Sequence, residues 1–129
     1  MRKIGLRQKV NKYFGNQAET RENHWDPSLQ THYYKITKDK GFQYLVDFFE
    51  KSSVYEVHAM SKEHGEISLQ VKKGRNAFIV ATVIMVRPYY TAIDFSVTTE
   101  SFLPIDFGYS SKIIYTLYND INKELTLIT

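Results

Sequence analysis

The chain has 129 residues, of which 43% are hydrophobic and 15% aromatic, so it can bury the core of one domain. The absence of cysteine excludes disulfide bonds and thiolate chemistry, and the net charge is only +3. The longest apolar run, residues 77–86, is half as long as a membrane-spanning helix, and the N-terminus lacks the pattern of a secretory signal, so we expect a soluble cytoplasmic protein.

The basic charge is concentrated at the N-terminus. Five basic residues precede the first acidic residue, Glu19, whereas from Tyr13 onward 12 basic residues face 14 acidic ones. Leu6, Val10 and Phe14 recur at helical spacing among these basic residues, which predicts an amphipathic helix. Such a helix can dock on its own domain, in a partner's groove or on an anionic membrane.

A polar, turn-rich stretch follows this helix. We therefore divide the chain into residues 1–27, a basic helix with a linker, and residues 28–129, a single domain. Residues 29–36 have the aromatic content of a strand. Thr37 is a good N-cap for a central helix, whose apolar face is formed by Phe42, Leu45, Val46 and Phe49.

Two hairpins are predicted after the central helix, because the apolar period changes to two. The first turns around His64 and Gly65, which places His58 opposite Val71 on the core side.

The second hairpin is predicted to have a four-residue loop, residues 87–90. In the resulting register Ile84 pairs with Ile93 on the core side. The apolar residues of the same strand that alternate with Ile84 then point away from the core and need a cover. The candidates for this cover are the N-terminal helix, the loop that carries Trp25, and a second copy of the chain. The residues that need the cover are Ile79, Val83 and Met85.

The last helix follows a strand-to-helix junction that contains the triplet DFG, residues 106–108. Asp106 can accept backbone N–H bonds in the turn, Gly108 permits a positive φ, and Ser110 is the predicted N-cap. A kinase magnesium site is excluded because the chain has no glycine-rich phosphate loop and no catalytic loop. The helix is apolar at Ile113, Ile114, Leu117, Ile121 and Leu125.

The order of these elements predicts an α+β domain. Its four- to five-stranded, mainly antiparallel sheet consists of two consecutive hairpins and a further strand. A central and a C-terminal helix pack on this sheet, and the amphipathic helix precedes them.

Two stretches of the chain resemble known proteins. The junction "DFGYSSKI", which includes Lys112 and follows "DFSVTTES", resembles the end of a bacterial family of unknown function. In that family a serine-rich strand precedes an Asp-x-Gly-x-Asn-x-x-Arg helix start. "HWDPSLQTHYY" and "FIVATVIMVRPYYTAIDFSVTTES" resemble a small group of uncharacterised cytosolic proteins of Gram-positive bacteria. Neither resemblance implies an activity, so Asp106, Gly108, Ser110 and Lys112 form a junction motif of unknown role.

The sequence contains no assembled catalytic or metal-binding motif. Among the histidines the best local pair is His24 with Asp26, and its simpler interpretation is a turn in which Asp26 acts as a cap and His24 is solvated. No serine or threonine is accompanied by a base and an orienting group. We therefore predict no cofactor, no metal and no enzymatic activity. Asp94 and Glu100 on the predicted outer face would repel phosphates, which argues against nucleic-acid binding.

The function that we expect is non-enzymatic binding of a protein partner or of a second copy of the chain. The predicted contact is the sheet face around Ile79, Val83 and Met85, which the N-terminal helix would cover or extend. If that helix binds a partner or a membrane, its anchors are Leu6, Val10 and Phe14. The alternative is an apolar small-molecule binding protein with a pocket between the sheet and the C-terminal helix.

Overall fold

The computed structural model of the protein describes residues 17–73, 76–99 and 108–129. The predicted N-terminal helix, with Leu6, Val10 and Phe14, lies outside these residues, as does Asp106 of the junction motif. The elements within them are, in chain order, β1 (Gln17–Glu19), a 3₁₀ helix (Pro27–Leu29), β2 (His32–Tyr34), α1 (Lys38–Lys51), β3 (Tyr55–Ser61), β4 (Glu66–Val71), β5 (Ala77–Arg87), β6 (Tyr90–Thr99) and α2 (Tyr109–Asn122).

The strands form one antiparallel sheet in the order β1-β6-β5-β4-β3, and β2 pairs with β6 beyond the end of β1. Both α-helices bury their apolar residues against the same face of this sheet, in one continuous core. The predicted α+β class and antiparallel sheet are therefore confirmed. The sheet has six strands, because β1 lies in the stretch that the sequence predicts to be a linker.

The two α-helices lie where the apolar periodicity predicts them. The Thr37 hydroxyl accepts a hydrogen bond from the backbone N–H of Lys40, as expected for an N-cap, and the four predicted apolar residues of α1 are buried. Gly108 has a φ of 83°, as predicted, and α2 begins directly after it. Ser110 therefore lies buried in the first turn of α2, and its prediction as the N-cap is wrong. Neither helix of the described chain is long and apolar enough to cross a bilayer.

The β5–β6 hairpin differs by one residue from the predicted register. Val83 is opposite Ile93, and Ile79 is opposite Val97. A shift of one residue moves every side chain of a strand to the other face of the sheet. Ile79 and Val83 are consequently fully buried under the helices, and the prediction that they point away from the core is wrong.

The physical reason for the shift lies in the turn. Only Pro88 and Tyr89 separate the last paired residues, Arg87 and Tyr90, so the loop has two residues and not four. The register also changes between Met85 and Arg87, where the strand contains a bulge. Proline suits the first position of such a turn, and Tyr89 takes the second with a φ of 58°.

The β3–β4 hairpin also differs from the prediction. Tyr55 is opposite Val71, and an irregularity between Val57 and Ala59 places His58 at the surface instead of on the core side. The imidazole of His58 lies 3.9 Å from a carboxylate oxygen of Glu56. This bulge interrupts the outer edge of the sheet.

Asp94 of β6 holds together the two ends of the loop that connects β1 and β2. The hydroxyls of Thr20, which follows β1, and of Thr31, which precedes β2, each donate to the same carboxylate oxygen of Asp94 at 2.6 Å. Burial raises the pKa of Asp94, and the two hydroxyl hydrogen bonds lower it in part. Because the pKa is raised overall, the carboxylate is less favoured at this site than it is in water.

Two substitutions of Asp94 are expected to separate its charge from its hydrogen bonds. At neutral pH, Asp94→Asn should preserve or increase the free energy of unfolding, since an amide oxygen accepts both hydroxyls without a buried charge. Asp94→Ala should lower it by about 2 kcal/mol, because both hydroxyls lose their acceptor. Urea denaturation of the three proteins measures these differences, and a larger loss for Asp94→Asn than for Asp94→Ala would contradict the assignment.

The effect of Asp94→Asn should depend on pH. The pKa of Asp94 is higher in the folded protein than in the unfolded chain, so the folded state binds more protons between the two values. The stability contributed by the natural residue therefore falls as the pH rises from the unfolded pKa through the folded one. The advantage of asparagine should be absent below the unfolded pKa of Asp94 and complete above its folded pKa.

Candidate functional site

Strands β5 and β6 continue past the rest of the sheet. β4 pairs with β5 as far as Thr82, and the backbone N–H of Val83 then donates to the carbonyl of Gly65 at 2.7 Å. In the described ranges no strand lies beside β5 on this side from Ile84 onward. We call residues 84–89 the hairpin end.

The hairpin end is apolar and exposed. Ile84 and Met85 are each 50% exposed, Val86 is 52% exposed and Tyr89 is 59% exposed. Single exposed apolar side chains are ordinary on a protein surface, but a contiguous group of them is typical of an interaction site. Arg87 is the one charged residue in this segment.

The structure separates the three residues of the predicted sheet-face site. In the alternation of β5, Ile79, Val83 and Met85 all point to the face that the helices cover. Ile79 and Val83 lie in the core, while Met85 is exposed because the strand has run past the core. Of the three, Met85 therefore has a surface available for contact in this fold.

The side chain of Arg87, the one charged residue of the hairpin end, packs on a stack of two tyrosine rings. The guanidinium carbon of Arg87 lies 4.1 Å from the centroid of the Tyr90 ring, and this ring stacks on Tyr33 of β2 with 5.0 Å between centroids. The Tyr33 hydroxyl donates to Glu22 at 2.6 Å, and this hydrogen bond raises the pKa of Tyr33 to about 12. Tyr33 thus remains protonated at neutral pH, and Arg87 is held against the stack.

Tyr89 occupies a strained backbone conformation at the tip of the hairpin. A side chain at a φ of 58° costs about 1 kcal/mol relative to ordinary right-handed or extended backbone. Strained residues concentrate at sites that make functional contacts. The strain at an exposed aromatic residue therefore supports the hairpin end as a contact site.

Two other edges of the sheet carry a charged pair or a paired segment, whereas β5 has only the bulge between Met85 and Arg87 near its turn. On β3 the bulge and the Glu56–His58 pair interrupt the edge, as edge strands commonly do. Beside β2, the backbone N–H of Tyr33 donates to the Thr129 carbonyl and the N–H of Ile128 donates to the Tyr33 carbonyl. In contrast, the segment of β5 from Ile84 to Val86 carries no charge, and no described segment covers it.

The other predicted positions lie away from the hairpin end. Gly108, Ser110 and Lys112 lie at the start of α2, and Lys112 lines a cleft with Val71 near the opposite end of the sheet. Ile84, Val86 and Tyr89 are exposed apolar residues that the sequence analysis did not include in a candidate site. The signal that could have found them is the apolar run "IMV", which continues without interruption to the turn.

The His24–Asp26 pair is a structural turn. Asp26 caps the 3₁₀ helix by accepting from the backbone N–H of Ser28 at 2.9 Å, as its simpler interpretation predicts. His24 is buried, contrary to the expectation of a solvated residue, and its Nδ1 accepts from the N–H of Asp26 at 2.9 Å. Across the described part of the chain, no three histidine, aspartate or glutamate side chains come together as a metal site.

Comparison with known protein families, with curated proteins and with solved structures finds no significant match. The function is therefore inferred from geometry. The hairpin end offers apolar side chains and a strand edge that no described strand pairs with, which together suit the addition of another strand.

Proposed function

We propose that the protein is a self-associating module in which the hairpin ends of two copies pair edge to edge. The observation that carries this proposal is the apolar edge of β5 from Ile84 to Val86, which no described segment covers, in a sheet whose β3 and β2 edges are protected. Natural proteins commonly protect an apolar strand edge, and pairing with another strand is one way to cover it.

The backbone direction favours this pairing. The N–H of Val83 points toward β4, and backbone groups of alternate residues in a strand point the same way, so the N–H and carbonyl of Met85 also face the open side. A second copy in antiparallel orientation presents the same groups. The pairing is therefore self-complementary about a two-fold axis at Met85.

The side chains are compatible with the same axis. In such a pairing Ile84 of one copy lies opposite Val86 of the other, and apolar residues directly opposite each other stabilise antiparallel strands. Arg87 is the one charged residue of the hairpin end, and an axis at Met85 does not place it opposite the Arg87 of the second copy. The predicted contact thus keeps Met85 and replaces Ile79 and Val83 by Ile84 and Val86.

Light scattering on the full-length chain tests the proposal. We expect a dimer, which Met85→Pro converts to a monomer because proline removes the N–H from the open edge. Ile84→Lys should have the same effect through its charge. Phe78→Lys is the matched control, since Phe78 is 46% exposed on β5 but lies on the outer face away from the open edge, and this variant should remain a dimer.

Three results would count against the edge-to-edge contact. A wild-type protein that stays monomeric at high concentration excludes self-association. A Met85→Pro dimer shows that the edge is not the interface. Dissociation by Phe78→Lys alone would place the contact on the outer face of the sheet. Circular dichroism of each variant distinguishes lost association from lost folding.

A further inference from the structure

A cleft of about 160 Å³ lies between the sheet and α2, at the end of the sheet opposite the hairpin end. Tyr55 of β3 and Val71 of β4 contribute one side, and Ile113 and Thr116 of α2 contribute another. Lys73 and Lys112 are also part of the lining. The cleft has no role in the proposed self-association.

The size and walls of the cleft fit one apolar ring. A cavity of about 150 Å³ lined by aliphatic side chains is large enough to hold benzene. Val71 and Ile113 are almost completely buried, so they form an aliphatic floor. A single aromatic ring would therefore cover most of the apolar surface that the cleft exposes.

The two lysines give the cleft a positive charge. Both side chains are exposed, and among the described residues neither ammonium group has an acidic partner. Local potentials of this kind attract anions to a cleft.

The charged residues along α2 favour one orientation of an anionic ligand in the cleft. Lys112, Thr116 and Asp120 are spaced by four residues, so they follow one side of the helix. Burial raises the pKa of Tyr55 to about 12, and the Asp120 carboxylate adds to this effect. The negative charge of Asp120 therefore lies on the side of the cleft formed by Tyr55. An anionic group is thus favoured near Lys112 and disfavoured near Asp120. The Asp120 carboxylate also lies 3.9 Å from the ammonium group of Lys123.

We propose that this cleft binds a small aromatic carboxylate. The ring lies against Val71 and Ile113, and the carboxylate group lies beside the lysine side chains. The ligand class follows from three properties together: the volume of one ring, an aliphatic floor and two lysines in the lining.

Titration of the isotope-labelled full-length chain with benzoate, followed by amide chemical shifts, tests this site. We expect saturable shifts centred on Lys112, Ile113 and Thr116. Benzamide, which keeps the ring but lacks the charge, should bind about fivefold more weakly, in keeping with the loss of an exposed ionic contact. Acetate, which lacks the ring, should produce no saturable shift.

Variants of the lining separate the site from general charge attraction. Lys73→Gln and Lys112→Gln should each weaken benzoate binding about fivefold. Lys62→Gln is the matched control, because Lys62 is an exposed lysine in the β3–β4 turn at the other end of the sheet, and it should have no effect. Thr116→Trp should fill the cleft and abolish binding. The proposal is overturned if benzoate gives no saturable shift, if acetate matches it, or if Lys62→Gln weakens binding as much as Lys112→Gln.

Discussion

Val83→Lys is expected to unfold the protein, whereas Ile84→Lys is expected to leave it folded. Val83 has no exposed surface, so a lysine at this position would bury an ammonium group among aliphatic residues. An unpaired charge in such a site costs several kcal/mol, a large part of the roughly 5–15 kcal/mol that stabilises a typical domain. Ile84 is 50% exposed, and a lysine there reaches water directly.

Urea denaturation followed by circular dichroism measures the difference between these neighbouring positions. The two variants introduce the same side chain, one residue apart in the same strand, so they differ mainly in the face of the sheet that receives it. A folded Val83→Lys protein together with an unfolded Ile84→Lys protein would indicate the alternative register with a four-residue loop.

The second large effect is expected at Gly65, in the β3–β4 turn. Its φ is 67°, and a Cβ at this position would lie 2.3 Å from the carbonyl oxygen of Val83. That oxygen cannot move away easily, because the Val83 N–H is bonded to the Gly65 carbonyl. Gly65→Ala should therefore cost about 3 kcal/mol or more, combining the left-handed conformation with a backbone clash.

Gly108→Ala is the matched control for this substitution. Gly108 has a φ of 83°, but apart from its chain neighbours no atom of the described residues would lie within 4 Å of a Cβ there. It should cost only the conformational penalty, about 1–2 kcal/mol. Thermal and urea denaturation of both variants would test the comparison. Equal losses at the two glycines would show that the close approach of Gly65 to β5 adds nothing.

The sequence was sufficient to predict the elements whose polar and apolar residues alternate clearly. In α1 the apolar residues recur at helical spacing behind a capping threonine, and the helix forms as expected. In β6 the predicted core residues Ile93, Phe95 and Val97 are buried, while Asp94 and Ser96 are partly exposed on the other face. Each of these patterns has one energetically acceptable orientation.

In contrast, β5 is apolar on both faces, so its pattern does not determine which face is buried. One face carries Ile79 and Val83, the other carries Phe78 and Ile84, and burial of either set would be favourable. The outcome depends on a two-residue turn with Tyr89 at a positive φ, which a tyrosine adopts only rarely. This one conformation decides the face that each residue of β5 occupies.

The candidate sites depend on long-range packing that periodicity does not reveal. The hairpin end is exposed because the pairing of β4 with β5 ends at Thr82 of β5 while β5 continues. The alternation of polar and apolar residues does not reveal how far a strand extends past its neighbour. The cleft combines residues that are distant in sequence, such as Val71 and Ile113. The sequence analysis therefore offered a pocket beside the C-terminal helix as an alternative without locating it.

The strands that pair with β6 on its two sides differ in their distance from it along the sequence, and this affects the order of folding. Its partner β5 follows from a two-residue turn, so that pairing requires little loss of chain entropy. Its other partners, β1 and β2, precede it by most of the described chain, with Gln17 opposite Thr98. We expect the β5–β6 pair to form early and the far edge of β6 to stay open until the N-terminal strands arrive. During that interval, a newly made chain is most vulnerable to pairing with a wrong strand.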